Sequence, residues 1–119
     1  MKKTLVLGAT THPNRYAYLA VHSLRRYGHE VVPVGIRSGE VAGIPILHGM
    51  PEVADVDTVT LYIGPQRQPP YYEYIFSLKP KRIIFNPGTE NSELAALAEA
   101  RGIETVEGCT LVMLSVGTY

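Results

Sequence analysis

The chain has 119 residues with eleven basic and eleven acidic side chains, so its formal net charge is zero. A neutral chain lacks the basic field that attracts nucleic acid or anionic membranes, and no apolar stretch approaches the length that spans a bilayer. The length predicts one domain over residues 1–119, and the 45% of hydrophobic residues predict an ordinary globular core.

Cysteine usage and the first residues bear on the compartment. The single Cys109 excludes an internal disulfide, which fits a reducing environment. Met1-Lys2-Lys3 leads directly into a strand-like run, without the apolar region and cleavage site of a secretory signal peptide. We therefore expect a cytoplasmic protein.

The first half of the chain predicts a strand at 4–7 and a helix over 14–27, because apolar residues recur there at helical spacing. The helix residues expected to face the core are Ala17, Ala20, Val21, Leu24 and Tyr27. Pro13 suits the first helical position and Gly28 suits the helix end. A second strand is predicted at 31–34.

That second strand contains Pro33, which cannot donate to a ladder and indicates a sheet edge or an irregularity. Residues 36–51 are rich in Gly and Pro and predict a loop, with a short extended piece at 44–47. Further strands are predicted at 58–63, 82–85, 103–106 and 110–114, and further helices at 70–78 and 93–100. Asn91 or Ser92 is expected to cap the last helix. Apolar strands separated by helices predict a three-layer α/β fold, with a mostly parallel sheet of about five strands covered by helices on both faces.

In such sheets, ligands bind beyond the carboxyl ends of the strands. The small-residue turn after the first strand, Gly8-Ala9-Thr10-Thr11, leads to a helix start, where free amides and the positive end of the helix dipole favour an anion. We expect the amides from Gly8 to Asn14 to converge on a phosphate and Arg15 to add charge-assisted hydrogen bonds. Only one glycine of the G-x-G-x-x-G dinucleotide fingerprint is present, so an ordinary turn capped by Thr11 or His12 remains an alternative.

Two more loops are expected to border the same pocket. Arg37 follows the second strand, where nicotinamide dinucleotide sites place a carboxylate. An arginine there fits a phosphorylated ribose, which NADP and coenzyme A (CoA) both contain, while a solvated loop charge is the alternative. Asn86 and Gly88 are expected at the pocket entrance, although a turn followed by a helix cap would also explain them.

The sequence predicts no catalytic set and no metal site. None of the four histidines is paired with a carboxylate or cysteine at metal-ligand spacing, and His12 alone lies inside the phosphate turn. Cys109 is interpreted as a packed core thiol. The tyrosines of the segment 71–74 are compatible with core packing, with a wall for an adenine ring or with a dimer contact.

Three segments of the chain resemble the small bacterial CoA-binding domain proteins. They are Leu7-Gly8-Ala9-Thr10, Pro13-Asn14-Arg15-Tyr16 and residues 27–34. Members are single Rossmann-like domains, similar to the CoA-binding domain at the start of the succinyl-CoA synthetase alpha subunit. The resemblance implies a pyrophosphate held by the first turn, adenosine contacts near Val34 and Arg37, and ligand contacts from Ile63 and Pro65. The chain departs from the family in having Val34-Gly35-Ile36 where Val-Asn-Pro is frequent.

The leading hypothesis is therefore non-catalytic binding of CoA or an acyl-CoA. A small NAD(P)-binding protein or oxidoreductase, with NADP as the ligand, is one alternative. A regulatory or interaction protein with a vestigial nucleotide pocket is another. We expect a small nucleotide ligand, no nucleic acid and no membrane partner, and either a homodimer or a partner enzyme is compatible with the sequence.

Overall fold

A computed structural model describes all residues 1–119. Seven strands are present: β1 (Thr4–Leu7), β2 (Val31–Val34), β3 (Glu40–Val41), β4 (Ile44–Pro45), β5 (Thr58–Leu61), β6 (Arg82–Phe85) and β7 (Glu104–Glu107). Five of them form one parallel sheet in the order β2-β1-β5-β6-β7, and β3 and β4 form a small antiparallel hairpin. In the sheet Leu7 pairs with Val34 and Leu61, so neighbouring strands end level with one another.

Helices cover both faces of the sheet: α1 (Tyr16–Arg26), α2 (Tyr72–Ser77), α3 (Ser92–Glu99) and α4 (Thr110–Val116). Successive side chains of a strand point to opposite faces, and β1 accordingly divides between two core clusters. Leu5 and Leu7 pack in the cluster that includes α2 and α3, and Val6 packs in the cluster that includes α1 and α4. The predicted three-layer α/β fold is therefore confirmed.

The inner strands β1, β5 and β6 are buried along their whole length, as expected of parallel strands covered on both faces, and the polar residues that they contain are buried with them: Thr4, Thr58, Thr60 and Arg82. Strand β2 lies at the sheet edge, as its Pro33 predicted. Leu47 lies beside that edge, because its amide donates to Pro33 O and its carbonyl accepts from Gly35 N, both at 2.9 Å. The predicted extended piece at 44–47 thus serves as β4 and as a cover for the edge.

The strand order places a topological switch point between β1 and β5. From β1 the chain moves outward to β2, then returns and adds β5 on the other side of β1. The loops after β1 and β5 therefore leave the sheet in opposite directions and open a crevice at its carboxyl edge. None of the helices is both long and apolar enough to cross a lipid bilayer.

The predicted strand at 110–114 is wrong, because these residues form helix α4. Thr110 and Leu114, four residues apart, are buried while Val112 is 56% exposed, which is a helical period. The apolar run Thr-Leu-Val-Met-Leu suits a strand on composition alone. Packing of Leu114 in the same cluster as Val21 and Leu24 of α1 decides the outcome.

Helix α1 also begins later than predicted. Arg15 is its N-cap with extended backbone (φ −95°, ψ 144°), so Pro13 and Asn14 belong to the preceding loop. Tyr27, expected on the core face, lies beyond the helix and is 51% exposed. The loop from residue 8 to 15 is consequently longer than the sequence suggests.

Candidate functional site

A cavity of about 530 Å³ occupies the switch point, beyond the carboxyl ends of β1, β2, β5 and β6. Its volume falls within the roughly 300–1,000 Å³ that is typical of small-molecule sites. Four loops contribute to its lining, which consists of Leu7, Gly8, Ala9, Thr10, Thr11, His12, Arg15, Tyr16, Ala17, Val34, Gly35, Ile36, Arg37, Tyr62, Ile63, Gly64, Arg67, Tyr71, Pro87, Gly88 and Thr89.

Gly8 makes the sharp turn out of β1. Its φ is +105°, and an added β-carbon would lie 3.0 Å from the carbonyl carbon and oxygen of Tyr62. Only glycine meets both requirements without displacing the neighbouring strand. The turn therefore lets the backbone of the first loop pass close to the loop after β5.

Some backbone amides of the first loop are hydrogen-bonded within the protein, and others are free. Those of Gly8 and Ala9 both donate to Val34 O at 2.9 Å, so they hold the loop on β2 and do not face the cavity as the sequence predicted. The His12 amide donates to the Thr10 hydroxyl. The amides of Thr10, Thr11 and Asn14 have no hydrogen-bond partner within the protein. The amides that this loop leaves free for a ligand are therefore those of Thr10, Thr11 and Asn14, without those of Gly8 and Ala9.

The start of α1 carries the positive end of the helix dipole, and no acidic side chain in the first turn neutralises it. Arg15 makes no side-chain cap. Arg15, Tyr16 and Ala17 all line the cavity, so this end of the helix borders it directly. The free N–H groups and the helix dipole there favour an anionic group.

Three arginines from three different loops surround the cavity: Arg15, Arg37 and Arg67. No aspartate or glutamate lines it. The protein contains one ion pair, Lys3 with Glu30, and none of the three arginines donates a side-chain hydrogen bond to the protein. Guanidinium groups remain charged at all physiological pH values, so the cavity has three cations available to a ligand.

Nine of the twelve residues predicted for the site line the cavity: Gly8, Ala9, Thr10, Thr11, Arg15, Val34, Arg37, Ile63 and Gly88. Among them Ala9, Val34 and Ile63 are at most 8% exposed, so they shape the cavity floor and offer little surface to a ligand. The other three predicted residues, Asn14, Pro65 and Asn86, do not line it.

Asn86 is a structural residue, although the sequence placed it at the pocket entrance. It is 2% exposed, and its amide nitrogen donates to Thr60 Oγ1 at 2.6 Å and to Leu61 O at 2.8 Å. Its side-chain oxygen accepts from the Thr110 amide at 2.9 Å. Asn86 therefore ties the start of α4 to β5, and its polar groups are occupied within the protein.

In the loop after β5, sequence reasoning did not single out Arg67, and it left Tyr71 open between core packing, a wall for an adenine ring and a dimer contact; both residues line the cavity. Arg67 closes a short 3-10 turn at Pro65–Arg67, and Tyr71 ends a second one at Pro69–Tyr71. The available signal was a cation in the turn that follows Gly64-Pro65. It becomes informative only when β5 is known to lie beside β1.

A sequence model of the CoA binding domain family matches residues 2–115. The crystal structure of an uncharacterized protein is 61% identical, with a TM-score of 0.98 over 100% of this chain and 98% of that one. A hypothetical protein from Pyrococcus horikoshii OT3 is 25% identical, with a TM-score of 0.88 over 97% of this chain and 82% of its own.

A protein from Thermus thermophilus, 22% identical, shares the fold with a TM-score of 0.86 over 99% of this chain and 90% of its own. No curated protein matches the sequence. The family model covers almost the whole chain, including every residue that lines the cavity. The chain belongs to the CoA binding domain family.

Proposed function

We propose that this protein binds CoA or an acyl-CoA in the cavity without catalysing a reaction on it. The observation that carries the proposal is electrostatic: three unpaired arginines and the uncapped start of α1 surround one cavity that no carboxylate lines. CoA matches this pattern because it carries a pyrophosphate and a separate phosphate on its ribose. Family membership supports the same ligand.

In this proposal the pyrophosphate lies at the free amides of Thr10 and Thr11 and at Arg15. Arg37, beyond the end of β2, pairs with the ribose phosphate. Arg67 approaches from the opposite wall and supplies the third cation. Hydrogen bonds between a guanidinium and a phosphate are charge-assisted and among the stronger ones in proteins.

Binding without catalysis is supported by the kinds of side chain around the cavity. His12 is the lining residue of the type most often used for general acid–base catalysis, and the lining offers it neither a carboxylate nor a cysteine as a partner. Burial raises the pKa of the Tyr62 phenol, which makes it a poorer proton donor near neutral pH. We propose that residues 1–119 act as a single ligand-binding domain, in the cytoplasm, that delivers or senses its ligand.

Isothermal titration of the protein with CoA, dephospho-CoA, NADP and NAD tests this function. We expect CoA to bind more tightly than dephospho-CoA, and both affinities to fall as salt is added, because the three arginines are exposed. Binding of NAD with no response to CoA would overturn the proposal.

The same titration separates the alternatives. NADP also carries a ribose phosphate that Arg37 fits, so a response to NADP alone favours the NAD(P)-linked protein. A flat response to all four ligands favours a regulatory protein with a vestigial pocket. Either result rejects CoA binding.

A further inference from the structure

Gln68 has a fully buried amide side chain behind the cavity wall. It is 0% exposed although it lies on a loop, directly after Arg67 and between two 3-10 turns. Burying a primary amide is costly unless all of its polar groups find partners. Its hydrogen bonds therefore indicate why glutamine is present at this position.

Both hydrogen bonds that the Gln68 side chain donates go to the two loops that form one side of the cavity. Its amide nitrogen donates to Ile63 O at 3.0 Å and to Thr89 O at 2.8 Å. Both acceptors belong to cavity-lining residues, Ile63 in the loop after β5 and Thr89 in the loop after β6. The β5–β6 ladder ends at Leu61 and Phe85. Beyond that point the single planar amide of Gln68 connects the two loops.

The oxygen of the same amide is also fixed. It accepts from Asn91 Nδ2 at 2.8 Å, and Asn91 donates in addition to the Tyr72 hydroxyl at 2.8 Å. Asn91 itself is anchored as the N-cap of α3, where its Oδ1 accepts from the Leu94 amide. The Gln68 amide is therefore fixed by the start of α3 through its oxygen, and through its nitrogen it connects the loop after β5 to the loop after β6.

We propose that Gln68 is a positioning residue of the ligand site: its amide sets the separation of the 63–71 and 86–91 loops and so presents Arg67 and Tyr71 to the ligand. Its effect on affinity rests on the proposed function, whereas its effect on the two loops does not. An isosteric apolar side chain fills the same space but leaves Ile63 O and Thr89 O without the donor they share, and Asn91 Nδ2 keeps only the Tyr72 hydroxyl as an acceptor. The two loops then separate more easily, while the sheet behind them stays intact.

The test uses Gln68→Met, which retains the length of the side chain and removes its hydrogen bonds. Asn91→Asp is the second variant, because it preserves the cap of α3 and replaces the amide donor to Gln68 and Tyr72 with a carboxylate oxygen. Arg82→Met is the matched control. Arg82 is also buried and hydrogen-bonded, to Thr58 Oγ1 and Tyr119 O, but it lies at the opposite, amino edge of the sheet.

Amide hydrogen exchange, measured without ligand, reports on the loops, and calorimetry with CoA reports on the site. In Gln68→Met we expect exchange in the 63–71 and 86–91 segments to accelerate at least about tenfold relative to β1 and β5, and CoA affinity to fall at least about tenfold. The substitution removes three hydrogen bonds, and the net loss of even one buried hydrogen bond is worth roughly that factor. We expect Asn91→Asp to shift both readouts in the same direction by a smaller factor. Arg82→Met should lower the melting temperature and change neither readout.

Exchange that stays within a factor of about two of the unmodified protein, despite a lower melting temperature, would show that Gln68 is only a core residue. Accelerated exchange with unchanged CoA affinity would equally overturn the positioning role. Failure of the unmodified protein to bind CoA rejects the proposed function, and the exchange measurement then still decides whether Gln68 sets the loops.

Discussion

The carbonyl oxygen of Ala9 lies directly over the α-carbon of Gly35, so that a β-carbon added to Gly35 would be 2.3 Å from it. The backbone of Gly35 is not in the left-handed region, so its conformation suits any residue and the constraint is one of contact alone. The first loop and the end of β2 are therefore in contact through backbone atoms. This contact brings Arg15 and Arg37 to the same cavity.

Gly35→Ala tests this contact. The methyl group must displace the Ala9 carbonyl and with it the loop that carries Thr10 and Thr11. Overpacking of this kind costs about 1–3 kcal/mol of unfolding free energy, and we expect CoA affinity to fall as well. Urea denaturation and calorimetry measure the two effects. Gly108→Ala is the matched control, because its β-carbon would have ordinary contacts at 3.5 and 3.6 Å. Equal effects of the two substitutions would contradict the role of the Ala9–Gly35 contact.

Arg37→Gln tests the assignment of the ribose phosphate. We expect CoA affinity to fall by about 1.5–3 kcal/mol, the range for a hydrogen bond to a charged group. Dephospho-CoA lacks that phosphate, so its affinity should be unchanged by the substitution. Calorimetry with both ligands provides the comparison, and Arg26→Gln, at the far end of α1 and outside the cavity, controls for loss of a positive charge. An equal loss for both ligands would place Arg37 elsewhere on the ligand.

Asn86→Ala separates a structural role from a ligand contact. The substitution leaves the Thr110 amide and Leu61 O without their buried partners, and each unsatisfied group costs about 1–3 kcal/mol. We expect a clear loss in denaturant midpoint with little change in CoA affinity at a temperature where the variant remains folded. A large loss of affinity without destabilisation would restore Asn86 to the site.

His29 makes the stability of the protein depend on pH. Its Nδ1 accepts from the Lys2 amide at 2.9 Å, and its ring packs on that of Tyr119 with centroids 4.9 Å apart. Burial lowers the pKa of His29 below 6.5, and the amino terminus, Lys2 and Arg82 lower it further while Asp57 opposes them. The folded state therefore binds fewer protons than the unfolded state just below pH 6.5, and stability falls as the pH drops through that region.

Urea denaturation at about pH 7.5 and about pH 5.5 measures this dependence. His29→Asn retains an acceptor for the Lys2 amide but does not titrate in this range. We expect the variant to lose less stability than the unmodified protein between the two pH values. Parallel losses would show that other groups, such as the carboxylates, produce the pH dependence.

The local parts of this fold could be predicted from the sequence because neighbouring residues determine them. The apolar runs of β1, β5 and β6 are buried on both sides, and Asn91 caps α3 as its side chain predicts. Helix α4 could not be predicted, because its run of Leu, Val and Met suits either element. Its contact with α1, about ninety residues earlier, selects the helix.

The residues of the site also separate into those that the local sequence predicts and those whose role depends on distant parts of the chain. The turn at Gly8 follows from a strand that ends in small residues, and Arg37 follows from the end of β2. Asn86 was assigned wrongly to the entrance because its partners Thr60 and Thr110 lie 26 and 24 residues away. The roles of Arg67 and Gln68 depend on the order of the strands, which places the loop after β5 beside the loop after β1.

The three arginines of the cavity also determine the charge balance of the rest of the chain. Basic and acidic groups balance over the whole chain, and three arginines are gathered at one edge without a carboxylate among them. Elsewhere on the chain the acidic groups are consequently in excess over the basic ones. The side of the protein that an anion reaches therefore matters: within the crevice it meets arginines and no carboxylate.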